Sequence, residues 1–185
     1  MTRGDCAFQG EPGAFSEQAA RALLGPDITV LPCDDFSALF DTVTTGRARW
    51  AVVPMENTLA GPVTECVTRL NQAAVTVVGE IRWHIRLALI AAPDVPFNAL
   101  RQVLSHPVAL RQCRRFLASH SHIEAVAAHD TAGAVRQIVR NRRADQAAIA
   151  GSACAERYGG HVLLESIADS EENYTRFVLI EARAS

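Results

Sequence analysis

The chain has 185 residues, of which 49% are hydrophobic and 21% charged, and its formal net charge at pH 7 is −2. This composition is typical of a globular protein with a packed core, and it excludes a disordered chain and a large multidomain assembly. A charge so close to zero provides no basic surface for sequence-independent binding to a phosphate backbone, so nucleic acid is not expected as a partner.

The basic residues number 18, and all of them are Arg. Without a lysine amine the chain has no Schiff-base catalysis, no anchor for pyridoxal phosphate and no P-loop of its own. The five cysteines are far apart, form no C-x-x-C pair and are odd in number, which indicates reduced thiols and no zinc site. No apolar signal segment is found, and the longest apolar run ends at Pro93. We therefore expect a cytoplasmic protein without a membrane partner.

Short apolar runs alternate with segments of helical periodicity along almost the whole chain, which predicts an α/β fold with crossover helices. The predicted strands are residues 6–8, 28–31, 50–53, 75–91, 103–104, 123–127, 147–150 and 175–180. The predicted helices are residues 15–24, 36–43, 62–70, 107–117 and 131–140, and a last helix that ends at Tyr158.

The strand predicted at 75–91 is unusually long, and we expect it to cross between two lobes. The fold class is therefore α/β with two similar lobes and a cleft between them. Lobe 1 would contain residues 1–79 and 167–185, and lobe 2 residues 80–166. Ligands of open α/β sheets bind beyond the carboxyl ends of strands, so the segments that follow strands are the candidate sites.

Two polar clusters follow predicted strands in the first half of the chain. Residues 10–16 form a glycine turn before a helix, where unpaired N–H groups attract anions and Ser16 adds a hydroxyl; a plain turn explains them as well. Glu56, Asn57 and Thr58 follow the third strand. Their carboxylate, amide and hydroxyl groups are suited to orienting a substrate, although such residues are also common in ordinary turns.

Two more clusters lie in the second half. In the first, Ser105 is the predicted N-cap of a helix that begins at Pro107, which leaves His106 without an assigned role. In the second, Thr175 and Arg176 enter the last strand. Because neighbouring strand residues point to opposite faces, one of the two can enter the cleft while the other braces the strand. The scattered histidines lack metal-ligand spacing, so no metal is predicted.

These clusters, in this order, resemble prephenate dehydratase. The glycine-turn motif of that family matches Phe8–Glu17, its P-I-E-N-S motif resembles Pro54–Thr58, its S-H-P-x-A-L-x-x-C stretch matches Ser105–Cys113, and its T-R-F signature is Thr175–Phe177. The likeness covers nearly the whole chain. It departs from the pattern at Thr58, where the family usually has Ser, and in the absence of the phenylalanine-binding ACT domain that generally follows.

The resemblance implies a two-lobed fold like that of type II periplasmic binding proteins, and a cofactor-free lyase of phenylalanine biosynthesis that converts prephenate to phenylpyruvate, CO2 and water. It implies a catalytic hydroxyl on Thr175 that donates to the departing oxygen. The residues implied to line the substrate site are Ser16, Glu56, Asn57, Thr58, Ser105, Thr131 and Arg176. A homodimer without feedback control by phenylalanine is expected. The alternatives are an arogenate dehydratase, a prephenate decarboxylase and a non-catalytic protein that binds small anions.

Overall fold

The structure is a computed structural model that describes residues 4–183 of the chain. In chain order its strands are β1 (Gly4–Gln9), β2 (Val30–Cys33), β3 (Ala48–Asn57), β4 (Gly61–Pro62), β5 (Val75–His84), β6 (Ala88–Ala91), β7 (Gln102–Ser105), β8 (Glu124–Ala127), β9 (Gln146–Ala150), β10 (His161–Leu164) and β11 (Tyr174–Ala182). The helices are α1 (Phe15–Leu24), α2 (Phe36–Thr44), α3 (Thr64–Gln72), α4 (Pro107–Gln112), α5 (Arg114–Ser119), α6 (Thr131–Asn141) and α7 (Ala153–Tyr158). Among these residues no helix is long and apolar enough to cross a membrane.

The described chain divides into two compact units, each built on its own sheet. The first contains residues 4–11, 15–84 and 174–183, and the second contains residues 12–14 and 85–173. The chain therefore leaves the first unit after β5 and returns to it with β11.

The sheet of the first unit has the strand order β2-β1-β3-β11-β5, with β4 paired to β3. The strands β1, β2 and β3 run parallel, whereas β11 is inserted antiparallel between β3 and β5. Apolar residues are buried on both faces of this sheet. One face packs residues such as Leu39 and Phe40 of α2, and the other packs Ala19 and Ala20 of α1. Burial on both faces accounts for the nearly continuous apolar runs in these strands.

The sheet of the second unit has the order β10-β6-β9-β7-β8. Its core lies between this sheet and α6, where Val135 and Ile138 pack against Ile90 and Leu104. The side chain of Asp130 accepts a hydrogen bond from the Gly133 N–H and caps α6.

The crossing between units differs from the sequence prediction. The strand expected at 75–91 is two strands, β5 and β6, and the units divide at 84/85 and 173/174 where the prediction had 79/80 and 166/167. The physical reason is pairing: His84 lies opposite Tyr174, so β5 stays in the first sheet to its last residue. Residues 12–14 belong to the second unit, where the Tyr158 hydroxyl donates to the Pro12 carbonyl at 2.6 Å.

Several element boundaries also differ. The helix predicted from Pro62 begins at Thr64, because Gly61 has a φ of 81° and the Val63 N–H donates to the Met55 carbonyl, which holds this segment against β3. The helix predicted at 107–117 is two short helices, α4 and α5, that meet at Cys113. The strand β10 was not predicted.

Candidate functional site

The antiparallel pairing of β3 with β11 brings together two of the sequence-predicted site residues. Asn57 ends β3, Thr175 is the second residue of β11, and the two lie opposite each other in register. The Asn57 Nδ2 donates to the Thr175 Oγ1 at 3.0 Å. Thr175 is buried, with a relative exposure of 8%. Residues far apart in sequence therefore form one polar pair at the end of the sheet.

Asn57 holds this pair through its whole amide group. Its Nδ2 also donates to the Tyr174 carbonyl at 3.1 Å, and its Oδ1 accepts from the N–H groups of Leu59 and Ala60 at 3.0 and 2.9 Å. Both oxygen and nitrogen are thus fixed by backbone partners, which sets the orientation of the amide. Because Thr175 Oγ1 accepts a hydrogen bond from Asn57 Nδ2, its own hydroxyl hydrogen points away from Asn57.

Thr58 also links the end of β3 to the start of β11. The Thr58 N–H donates to the Tyr174 carbonyl at 2.9 Å, and the Tyr174 N–H donates to the Thr58 Oγ1 at 3.0 Å. This contact uses the hydroxyl, which Ser and Thr share. The Thr58 departure from the family pattern therefore retains the group that holds Tyr174.

The glycine turn before α1 is formed as the sequence predicts. Gly10 and Gly13 have φ values of 108° and 94°, in the left-handed region that favours glycine. Ser16 is buried near the start of α1, and its Oγ donates to the Gln9 carbonyl at 2.8 Å. The hydroxyl hydrogen thus joins α1 to the end of β1.

Arg176 and Glu56 lie on the face of the sheet opposite to Thr175. They are in register with each other, one position from the Thr175–Asn57 pair, and both are exposed. The Arg176 guanidinium lies 3.5 Å from the Glu80 carboxylate. The structure therefore does not bring these two predicted residues to the Thr175 hydroxyl, and the ion pair corresponds to the bracing alternative.

Two of the predicted residues, Ser105 and Thr131, lie in the second unit. Ser105 is completely buried, and its Oγ donates to the Ile149 carbonyl at 2.6 Å, joining β7 to β9. Thr131 is the half-buried first residue of α6. The prediction that Ser105 caps the next helix is wrong: the N-cap of α4 is His106, whose Nδ1 accepts from the Val108 N–H at 3.2 Å.

This cap determines the state of His106. An Nδ1 that accepts a hydrogen bond carries no proton, so the neutral ring has its hydrogen on Nε2. Burial lowers the pKa of His106, and the nearby Arg111 lowers it further, whereas Asp130 opposes the shift. His106 is therefore a neutral helix cap at pH 7.

All five cysteine side chains are buried, and buried thiols are poor nucleophiles. Burial raises the pKa of Cys113, the thiol next to the S-H-P segment, to about 12. No group of three or more His, Cys, Asp or Glu side chains in residues 4–183 is arranged to hold a metal ion.

One buried polar pair was not singled out from the sequence. The Asn173 Nδ2 donates to the Gln112 Oε1 at 3.0 Å, and both residues are buried. Gln112 lies inside the S-H-P stretch and Asn173 directly precedes Tyr174. Their polar side chains beside strongly apolar elements were the signal that could have identified them.

The fold is that of an α/β protein with two lobes. Its candidate site, where the end of β3 meets the start of β11, consists of the amide of Asn57 and the hydroxyls of Thr58 and Thr175. The predicted α/β fold class with two lobes is confirmed, since each of the two compact units is built on its own sheet. The chain belongs to the prephenate dehydratase family, whose sequence profile matches residues 6–185.

Relatives include arogenate dehydratase 1 of Petunia hybrida, 38% identical over 175 residues that cover 94% of this chain and 41% of the relative. The chain thus spans about two fifths of the length of such relatives. Among solved structures, a prephenate dehydratase from Arthrobacter aurescens in complex with L-Phe has a TM-score of 0.90 and 28% identity, covering 98% of this chain and 61% of that one. GqqA, described as a novel type of quorum quenching acylase, has a TM-score of 0.87 and 33% identity, covering 97% and 64%.

Proposed function

We propose that this protein catalyses the decarboxylating dehydration of prephenate to phenylpyruvate, CO2 and water, a carbon–oxygen lyase reaction. The observation that carries the proposal is the 3.0 Å hydrogen bond from Asn57 Nδ2 to the buried Thr175 Oγ1. It leaves the hydroxyl hydrogen of Thr175 available to a departing oxygen. Membership of the prephenate dehydratase family supports this assignment.

The reaction needs little beyond such a donor. The bond between the ring and its carboxylate breaks, its electron pair enters the ring, and the ring C–O bond breaks on the opposite side with loss of hydroxide. A proton converts the hydroxide to water. Formation of the aromatic ring drives the step, so the protein has to orient a dianion and stabilise the leaving oxygen. A threonine hydroxyl is too weak an acid to give up its proton alone, so Thr175 acts as a positioned donor within a relay.

Arogenate is the second candidate substrate, favoured by the arogenate dehydratase of Petunia hybrida that is 38% identical to this chain. Arogenate carries an amino group where prephenate has a keto group, and it undergoes the same elimination to give phenylalanine. The retained Thr175 argues against a decarboxylase, because a hydroxyl donor has no purpose if the ring hydroxyl stays.

The active species is proposed to be a homodimer. Location in the cytoplasm and the lack of nucleic-acid or membrane partners stay predictions from the sequence.

The test supplies the purified chain with prephenate and with arogenate in parallel. Phenylpyruvate is followed by its absorbance in alkali and phenylalanine by chromatography. We expect phenylpyruvate at a rate well above spontaneous decay, and phenylalanine formed faster than phenylpyruvate would reverse the choice of substrate. Failure of both substrates to react would overturn the proposed function.

A further inference from the structure

The strand β5 forms an edge of the first sheet. Among the described residues it pairs only with β11, over the ten residues from Val75 to His84. Val77 and Val78 are adjacent on this strand, and each is 45% exposed. The strand contains no Lys or Pro, which often protect sheet edges from further pairing.

One hydrogen bond shows which backbone groups of β5 point outward. The Ile85 N–H donates to the Asn173 carbonyl at 2.7 Å, so the backbone of Ile85 points toward β11. The register between β5 and β11 is unbroken from His84 back to Gly79. Because the direction of the backbone groups alternates along a strand, the N–H and C=O groups of Glu80 and Arg82 point away from β11, to the open edge.

The side chains at these two outward positions carry opposite charges. Glu80 and Arg82 flank Ile81, lie on one face of the sheet and are both exposed. We propose that the β5 edge binds the β5 edge of a second copy of this chain, antiparallel, about a two-fold axis through Ile81 perpendicular to the sheet.

In this pairing Glu80 lies opposite Arg82 of the partner subunit, and Arg82 lies opposite Glu80 of the partner subunit. The outward backbone groups then form four main-chain hydrogen bonds. The side chains form two ion pairs once the Arg82 guanidinium, which lies 4.3 Å from the centroid of the Tyr174 ring on β11, turns to the edge. The Glu80 carboxylate, 3.5 Å from Arg176 of its own chain, gains a second guanidinium.

The register is specific to this axis. A shift of the axis by one residue places Glu80 against Glu80 or Arg82 against Arg82, which are repulsive pairs. With the axis at Ile81, Trp83 lies opposite Gly79 of the partner subunit. Gly79 has no side chain of its own to collide with the partner's Trp83, and the atoms nearest to a Cβ built at Gly79 belong to Leu179, 3.7 Å away. The strand is thus complementary to itself, which favours a second copy over a different protein.

The experiment reverses the charges. We expect the parent chain to sediment as a dimer of twice 20.0 kDa. Glu80→Arg and Arg82→Glu each turn two ion pairs into two repulsive pairs, and each should raise the dimer dissociation constant about ten-fold or more. The double variant Glu80→Arg/Arg82→Glu restores opposite charges and should restore the dimer. Glu156→Arg, the same charge change at an exposed residue of α7, is the control and should leave the dimer unchanged.

A monomeric parent would overturn the proposal, as would single variants that dimerise like the parent or a double variant that does not recover. Circular dichroism of each variant identifies any that fails to fold, and the double variant then decides the outcome. The proposal rests on the homodimer proposed above and not on the reaction. Prephenate turnover measured on the same samples distinguishes the proposed interface from the proposed reaction. If the dimer weakens and recovers in the variants as expected but no sample turns over prephenate, only the proposed reaction is overturned.

Discussion

The two units use polar side chains at their strand ends in different ways. In the first unit, Asn57 bonds to the side chain of Thr175, and the Thr175 hydroxyl hydrogen is not consumed by that bond. In the second unit, Ser105 donates its hydroxyl hydrogen to a buried carbonyl, and His106 caps a helix. Similar residues in similar positions therefore bond side chain to side chain in one unit and side chain to backbone in the other.

This difference follows from the strand arrangement. The inserted strand β11 runs antiparallel to β3, so the start of one meets the end of the other and side chains from both can bond across the sheet. In the second unit β7 and β9 run parallel, and Ser105 bonds to the backbone of β9. We expect substitutions in the first unit to change turnover and those in the second to change stability.

The largest effect is expected for Thr175→Ala. Loss of one positioned donor should lower kcat about 100-fold or more with little change in melting temperature. Thr175→Ser keeps the hydroxyl and should retain much more activity. Steady-state kinetics with prephenate provides the measurement, and an Ala variant with the parental rate would show that Thr175 is not the donor.

Asn57→Asp tests the direction of the hydrogen bond. A carboxylate only accepts, so Thr175 Oγ1 would donate its hydrogen to the introduced carboxylate and lose it for the substrate. We expect kcat to fall about 10- to 100-fold, the scale of losing one hydrogen-bonded catalytic donor. Asn98→Asp, at an exposed residue, makes the same change of charge and should leave kcat unchanged. Equal rates for Asn57→Asp and the parent would contradict the inferred direction.

Ser105→Ala should separate the second unit from the first. The buried Ile149 carbonyl would lose its hydroxyl donor, so the free energy of unfolding should fall by about 1–3 kcal/mol. The kcat of the folded fraction should stay near the parental value. Ser119→Ala removes a hydroxyl that donates to the Phe116 carbonyl at an exposed residue, and it should change stability by less than about 0.5 kcal/mol. An Ala variant that is as stable as the parent but has a lower kcat would show that Ser105 binds the substrate.

The smallest effect concerns pH. Because the pKa of His106 is lowered in the folded protein, the unfolded chain binds a proton more readily. The contribution of His106 to stability is thus complete above its ordinary pKa near 6.5 and is lost as the pH falls through the lower folded pKa. His106→Asn retains a capping acceptor without titrating, so denaturant melts from pH 7.5 to 5 should show a flatter decline. An unchanged decline would mean that His106 does not titrate in this range.

Local patterns predicted much of the secondary structure. The helix predicted at 36–43 is present as α2, and Asp35, directly before it, accepts from the Ala38 N–H at 2.8 Å and caps it. The glycine turn before α1 and the start of α6 at Thr131 were also predicted. These features depend on contacts within a few residues, which a single sequence displays directly.

Predictions that depended on distant contacts were less accurate. The apolar run at 75–91 contains no local signal for the break between β5 and β6, because residues 75–84 pair with β11 and residues 88–91 pair with β9 and β10. Periodicity placed Thr175 and Arg176 on opposite faces but did not identify which one meets Asn57.

The sequence by itself determined the alternation of strands and helices, the positions of the polar clusters and, through their motifs, the family. The tertiary structure decided which clusters act together. Insertion of β11 between β3 and β5 placed Thr175 against Asn57, turned Arg176 toward Glu80 and left Glu80 and Arg82 at an open edge. The reason is that strand order and register are set by packing and hydrogen bonding between segments far apart in the chain, which local propensity does not encode.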